Sequence, residues 1–146
     1  IPLGKTTNKV VASSQHELFQ NHANGELTNE ELLDYVFACP EVSPIGGVKK
    51  GLGSDGWRDD KVPRNIGFRT NDFSVLISLI QQSKALAYVP EIIAQQYDFE
   101  IINVLDCDYI CEEILFLSYR PSLASGWLNK FVDMFTEKLQ SGFVVQ

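Results

Sequence analysis

Residues 65–95 read NIGFRTNDFSVLISLIQQSKALAYVPEIIAQ, and the folding of this stretch decides the architecture. Ile66, Phe68 and Thr70 alternate with polar or small neighbours, the period-2 pattern of a strand. Asn71 or Asp72 then offers a side-chain oxygen to the free amides of a helix start. Phe73, Leu76, Ile77 and Ile80 follow at helical spacing and give that helix one apolar face. Ser83 and Lys84 close it. Ala85 to Val89 is a short apolar run that reads as a buried strand, Pro90 ends it, and Glu91 opens another helical turn. Strand, helix and strand in so short a span form a βαβ unit. That predicts an α/β fold with two parallel strands joined by a right-handed crossover.

Upstream, residues 1–9 are polar, carry Pro2 and Gly4, and read as an extended lead-in to a short strand at Lys9 to Ser13. Ser14 to Gln20 is ambiguous. Thr28 with Glu31 three residues later has the capping-box pattern, so a short helix is expected from about Asn29 to Leu33. Tyr35 to Cys39 reads as a strand stopped by Pro40. Residues 41–64 hold Pro44, Gly46, Gly47, Gly51, Gly53, Gly56 and Pro63, the density of a long loop, and such loops in compact domains are functional or disordered. Trp57 is expected to pin this loop by burying its ring. Downstream, Phe99 to Leu105 is a strand, Asp106 to Glu112 a turn, and Ile114 to Tyr119 a further strand. Pro121 and Ser122 start a last helix, on which Leu123, Trp127, Leu128, Phe131, Val132, Phe135 and Leu139 share a face that ends at Gly142.

The bulk properties narrow the function. A chain of 146 residues, 45% hydrophobic and 21% charged, fits one globular domain. It begins at Ile1, as a fragment or processed product would. No run approaches the roughly 20 apolar residues that span a bilayer, and no signal peptide is expected from the polar start. A net charge of −7 argues against a phosphate-gripping face. Lys49-Lys50 is the only adjacent basic pair. Three cysteines, Cys39, Cys107 and Cys111, fit a reducing compartment better than a disulfide framework.

Motifs for chemistry are sparse. Cys107 and Cys111 are spaced C-x3-C without further ligands close in sequence, so free, at least half-buried thiols are expected. His16 and His22 have no nucleophile motif beside them and read as surface histidines. Asp55, Asp59 and Asp60 lack the calcium-loop pattern and read as a solvated loop. The glycines of GGVKKGLG lack the phosphate-loop order. No catalytic residue, metal site or cofactor is assigned. The binding candidates are strand ends, where open α/β sheets seat ligands and helix N-termini offer amides to anions. Cys39-Pro40 leads into Ser43 and Pro44, Arg69 into Thr70, Asn71 and Asp72, and Tyr88-Val89 into Pro90. Asn71 and Asp72 either cap their helix or hold a ligand, and one residue can do both.

The order of features in FRTNDFSVLISLIQQSKALAYVPE resembles the effector-binding domain of LysR-type transcriptional regulators, with Tyr88-Val89-Pro90-Glu91 the most recognisable local motif. LTNEELLDYVFACP resembles the helix leading to a strand in that family, and EEILFLSYRP its returning hinge strand. Residues 53–70 resemble one subgroup. The likeness runs from about Val10 to Leu139. It implies a periplasmic-binding-protein-like (type 2) subdomain, a mixed and mostly parallel sheet flanked by helices. About 10–112 would be the second subdomain and about 113–146 the return strand and C-terminal helix. The N-terminal DNA-binding domain and the first half of subdomain one would be absent. Ser83 to Ala87 stands where the family often has paired glycines.

The resemblance further implies a non-catalytic, cytoplasmic, homo-oligomeric sensor of a small effector, carboxylate or otherwise polar, with DNA contacted only through the missing domain. One wall of the effector cleft would be formed by Ser43, Pro44, Thr70, Asn71, Asp72, Tyr88 and Pro90. The last helix would pack on subdomain one, so here it would expose apolar surface. The chief rival is a periplasmic-type solute-binding domain of a transport system, and the free thiols speak against it.

Overall fold

The computed structural model describes residues 1–42, 53–120 and 125–142. The chain forms two compact units, one of Asn8–Cys111 and one of Ile1–Thr7 with Glu112–Gln146.

The larger unit is built on one sheet. Its strands are the second half of β1 (Pro2–Ala12), β2 (Glu26–Leu27), β3 (Val36–Pro40), β4 (Asn65–Thr70), β5 (Ala87–Pro90) and β6 (Glu100–Val104). The ladders run β2-β6-β1-β5 and β3-β4. Parallel bridging of Phe37 with Leu86 joins the two sets, with Ala38 N donating to Leu86 O and Leu86 N to Val36 O, each at 2.8 Å. β2 is parallel to β6 and β3 to β4, while β1 is antiparallel to both β5 and β6. Only β1 runs against the rest, so the sheet is mixed and mostly parallel. β4 and β5 point the same way, as the βαβ reading requires, but they are not neighbours, because β3 lies between them. The crossover helix α3 (Phe73–Gln81) therefore spans one strand.

Burial on both faces explains why the central strands read as unbroken apolar runs. Val10, Ala12, Phe37, Leu86, Tyr88 and Ile102 pack on one face, with Leu18 of α1 (Leu18–Asn21) and Leu32 of α2 (Asn29–Leu32). Val11, Ala38, Ala87 and Val89 pack on the other, with Leu76, Ile77 and Ile80 of α3 and Ala94 of α4 (Glu91–Tyr97). Successive residues of one strand thus serve opposite cores, the pleat's period of two made physical. Each fully buried Leu or Ile contributes about 1.5–3 kcal/mol.

Several local expectations need correction. β1 starts at Pro2, not Lys9. The ambiguous segment contains α1 at its end, and the two-residue β2 gave no periodic signal. The expected box at α2 is present, with Thr28 Oγ1 accepting from Glu31 N and Glu31 Oε2 accepting from Thr28 N. α3 ends at a turn in which Ser83 takes φ of 56°.

In the smaller unit, residues 2–7 of β1 pair antiparallel with β7 (Glu112–Phe116), a strand expected to begin at Ile114. The last helix, α5, runs Gly126–Gly142. It starts later than Pro121 and Ser122, which with Leu123 lie outside the described residues. Ser125 O accepts from Asn129 N and opens its first turn. Trp127, Phe131, Met134 and Phe135 of α5 are exposed, as are Ile114 and Phe116 of β7.

Candidate functional site

The parallel strands end together. Across the sheet, register places Thr70 beside Pro40 and Pro90 beside Asn8. Thr70, Pro40 and Pro90 close β4, β3 and β5. Asn8 belongs to the reversed strand β1, so it stands at the same carboxyl edge. Sequence reasoning missed it because β1 was read from Lys9.

At the β4 end the side chains are tied to one another. Glu41 N donates to Thr70 O at 3.2 Å, and Asn71 Nδ2 donates to Glu41 Oε2 at 2.9 Å. Asp72 N donates to Thr70 Oγ1 at 3.1 Å. Asp72 Oδ1 accepts from Ser74 N at 2.8 Å, Ser74 Oγ at 2.5 Å and Val75 N at 3.4 Å. These bonds, led by the Ser74 hydroxyl, hold the Asp72 carboxyl below the usual carboxylate range. Asp72 is therefore the cap of α3, while Asn71 leaves the cap to it and binds Glu41. The amides that could have met an anion already face a carboxylate. β4 approaches β3 through a bulge, since Ala38 pairs with Phe68 and not with Gly67. A Cβ on Gly67 would lie 2.5 Å from a Val36 methyl, so only glycine fits the bulge unmoved.

Pro90 is half-buried at the start of α4. Tyr88 differs from the other candidates. It is 4% exposed, its ring meets Trp57 edge-on at 4.9 Å, and its hydroxyl accepts from Cys111 N at 3.1 Å. Burial pushes its phenol pKa up. The side chain is core, and what it offers the edge is support. Ser43 and Pro44 lie outside the described residues, as do Gly46, Gly47, Gly51, Lys49 and Lys50.

The segment 53–64 is where the sequence misled most. Asp55 is 6% exposed and the Arg64 side chain has no exposure at all. Arg64 donates to both carboxylate oxygens of Asp55, at 2.8 and 3.1 Å, and to both of Asp59, at 2.9 and 3.0 Å. Its guanidinium also lies 5.1 Å from the Phe37 ring centre and 5.4 Å from that of Trp57. Burial alone would lower its pKa, but the bonds to Asp59 and Asp55 outweigh that and the net shift is upward. Asp55 and Asp59 are thus partners of a buried cation, and Asp60 is paired with Arg58 at 2.6 Å; the cluster is not a solvated run. Trp57 does pin the segment, buried to 2% exposure with Nε1 donating to Val62 O at 2.7 Å. Ser54 Oγ donates to Pro40 O and Asn8 Nδ2 donates to Asp55 O at 3.1 Å. Two consecutive residues thereby connect Pro40 at the end of β3 with Asn8 in the middle of β1.

His16, expected at the surface, is 5% exposed. Its Nδ1 accepts from Leu18 N at 3.2 Å, its ring stands edge-on to Tyr35, and burial lowers its pKa. His22 is half-buried. Cys39 is buried and Cys107 and Cys111 half-buried, all free of disulfides, and burial raises the Cys39 thiol pKa. Among the described residues there is no group of three His, Cys, Asp or Glu side chains that could hold a metal, and no helix long and apolar enough to cross a membrane.

No protein-family model matches the sequence, and no curated protein matches it. Solved structures do. The effector-binding domain of QuiR, determined with shikimate, is 16% identical with a TM-score of 0.58, over 99% of this chain and 66% of that one. The regulatory domain of MetR, a LysR-family regulator from N. meningitidis, is 12% identical with a TM-score of 0.56, over 97% of this chain and 62% of that one. The apo regulatory domain of HypT from Salmonella typhimurium is 16% identical with a TM-score of 0.55, over 98% and 65%. The chain thus spans slightly less than two thirds of the length of these domains. Its fold is that of LysR effector-binding domains, the periplasmic-binding-protein-like type 2 fold.

Proposed function

We propose that this chain is the ligand-sensing part of a LysR-type transcriptional regulator. The observation that carries the reading is the likeness over 99% of the chain to an effector-binding domain determined with a small molecule in place. In this reading residues 8–111 form the second effector subdomain, and residues 1–7 with 112–146 are the hinge strands and the C-terminal helix. A small effector binds at the carboxyl edge formed by Glu41, Thr70, Asn71 and Pro90. The part is non-catalytic, works in the cytoplasm within a homo-oligomer, and reaches DNA only through another part of the protein. Binding that favours one of two arrangements of the regulator would shift its hold on DNA by that difference in affinity.

The test is an effector titration of DNA binding by the full-length protein and by its Thr70→Val and Asn71→Ala variants. Each substitution removes a hydrogen-bonding group, and loss of about 1.4 kcal/mol is tenfold in affinity. The expected result is a response weakened about tenfold with DNA affinity unchanged in the absence of effector. An unchanged response would remove Thr70 and Asn71 from the site. A protein that holds the small molecule with no DNA affinity in either state would fit the solute-binding rival.

A further inference from the structure

We infer that Arg69 is the cation that holds the anionic group of a carboxylate effector at the ends of β3 and β4. This deepens the sensing role proposed above and rests on it.

Arg69 is the penultimate residue of β4, and register pairs it with Cys39, the penultimate residue of β3. Its Nη1 donates to Cys39 Sγ at 3.5 Å. The guanidinium therefore lies across the two strands, one rung before they end at Pro40 and Thr70. Cys39 is 1% exposed, whereas Arg69 itself is exposed. The cation rests on a buried thiol and is open to solvent, where a ligand can reach it. Ser54 acts on the same thiol, and its Oγ donates to Pro40 O, so a hydroxyl shares this corner of the sheet with the guanidinium.

The larger unit holds three arginines. Arg64 donates to Asp55 and Asp59, and Arg58 to Asp60. Arg69 has no carboxylate partner among the described residues, and residues 43–52 contain no Asp or Glu that could serve as one. Cys39 supplies no counter-charge, because burial keeps its thiol protonated. A guanidinium stays charged in proteins and carries several N–H donors. Here a single one of them is used, on sulfur.

The acids near the strand ends are committed elsewhere. Glu41, directly after β3, accepts from Asn71 Nδ2 at 2.9 Å. Asp72 caps α3 and so occupies the amides with which that helix could have received an anion. Glu91, at the start of α4, has a partner of its own. An anion arriving at this edge, where open α/β sheets seat their ligands, is left with Arg69. The planar fork of the guanidinium matches the two oxygens of a carboxylate. Glu41 and Asp72 disfavour negative charge beside them, so the carboxylate is held to one place and the ligand to one direction.

The test uses the full-length protein in thermal-shift and calorimetric titrations with millimolar probes. These are acetate, benzoate and shikimate, each set against an uncharged counterpart: acetamide, benzamide and methyl shikimate. Stabilisation by at least one carboxylate, and none by its counterpart, is the expected result. Arg69→Gln should weaken the responding carboxylate about tenfold or more. Arg69→Lys, which keeps the charge and loses the fork, should fall between. Arg58→Gln, whose guanidinium is engaged by Asp60, should leave the affinity unchanged. A counterpart that binds as well as its carboxylate overturns the anionic class and leaves the sensing role standing. A carboxylate whose affinity survives Arg69→Gln overturns the role of Arg69. Silence of every probe overturns the carboxylate class too, and the sensing role is then decided by its own test, the effector titration of DNA binding.

Discussion

Segment 53–64 and helix α5 reverse each other's expectations. The first is rich in glycine, aspartate and basic residues and carries no periodicity, yet Asp55, Trp57, Val62 and the Arg64 side chain are buried. The second has the strongest amphipathic pattern in the chain, yet Trp127 is 71% exposed and Met134 60%. Apolar periodicity states what a segment could bury, and the neighbours decide whether it does. A charged composition likewise predicts solvation only while each charge stands alone. Arg64 with two carboxylates and two aromatic rings is a packed group with polar edges.

The largest effect that would break this contrast is at Arg64. Removing one partner of a buried ion pair strands the other, at about 3–5 kcal/mol. Arg64→Ala should therefore lower the stability of the larger unit by about that amount in a denaturant titration. Arg58→Ala, which removes the partly exposed pair with Asp60 and the contact with the Tyr109 ring, should cost no more than about 1 kcal/mol. Equal small losses at both positions would mean that segment 53–64 is solvated after all.

How much was legible in the sequence follows the same physics. The unit Ile66 to Pro90 could be read because each local signal agreed with the next: alternation in β4, the Asp72 cap, the apolar face of α3, the doubly buried run of β5. The insertion of β3 between β4 and β5 could not be read, because strand order depends on pairing between distant residues and leaves no local period. Thr28 and Glu31 were legible since a capping box is complete within four residues. The Arg64 network spans ten residues with irregular spacing, and the burial of His16 is set by Tyr35 and Leu18 around it. Of the candidate site, Thr70, Asn71 and Pro90 could be proposed from strand-end chemistry, whereas the place of Asn8 at the same edge depends on the reversed direction of β1.

His16 sharpens the contrast by a smaller amount. Its folded pKa lies below the unfolded value of about 6.5, so the unfolded chain takes up a proton more readily than the folded one. The stability that neutral His16 provides is complete above that value and is lost as pH falls through it and on towards the depressed folded pKa. Protonation also removes Nδ1 as the acceptor for Leu18 N. Stability measured from pH 7.5 down to about 5.5 should decline, and His16→Gln should flatten that part of the decline. An identical slope in the variant would place the titration on another group.

The smallest expected effect is at Phe131, and its smallness is informative. The side chain is 45% exposed and stacks on Phe135 at 5.6 Å between ring centres. Phe131→Ala in this chain should change stability by no more than about 0.5 kcal/mol, the range of surface substitutions. A buried phenylalanine truncated in the same way costs about 3–5 kcal/mol. The two values are far enough apart that one equilibrium unfolding experiment reads the environment of α5 directly. A loss near the upper range would show that something covers this face in solution, and sedimentation at several concentrations would tell whether that cover is a second copy of the chain. A loss near zero with monomeric sedimentation would leave α5 as it stands in the structure, an amphipathic helix whose apolar face meets water.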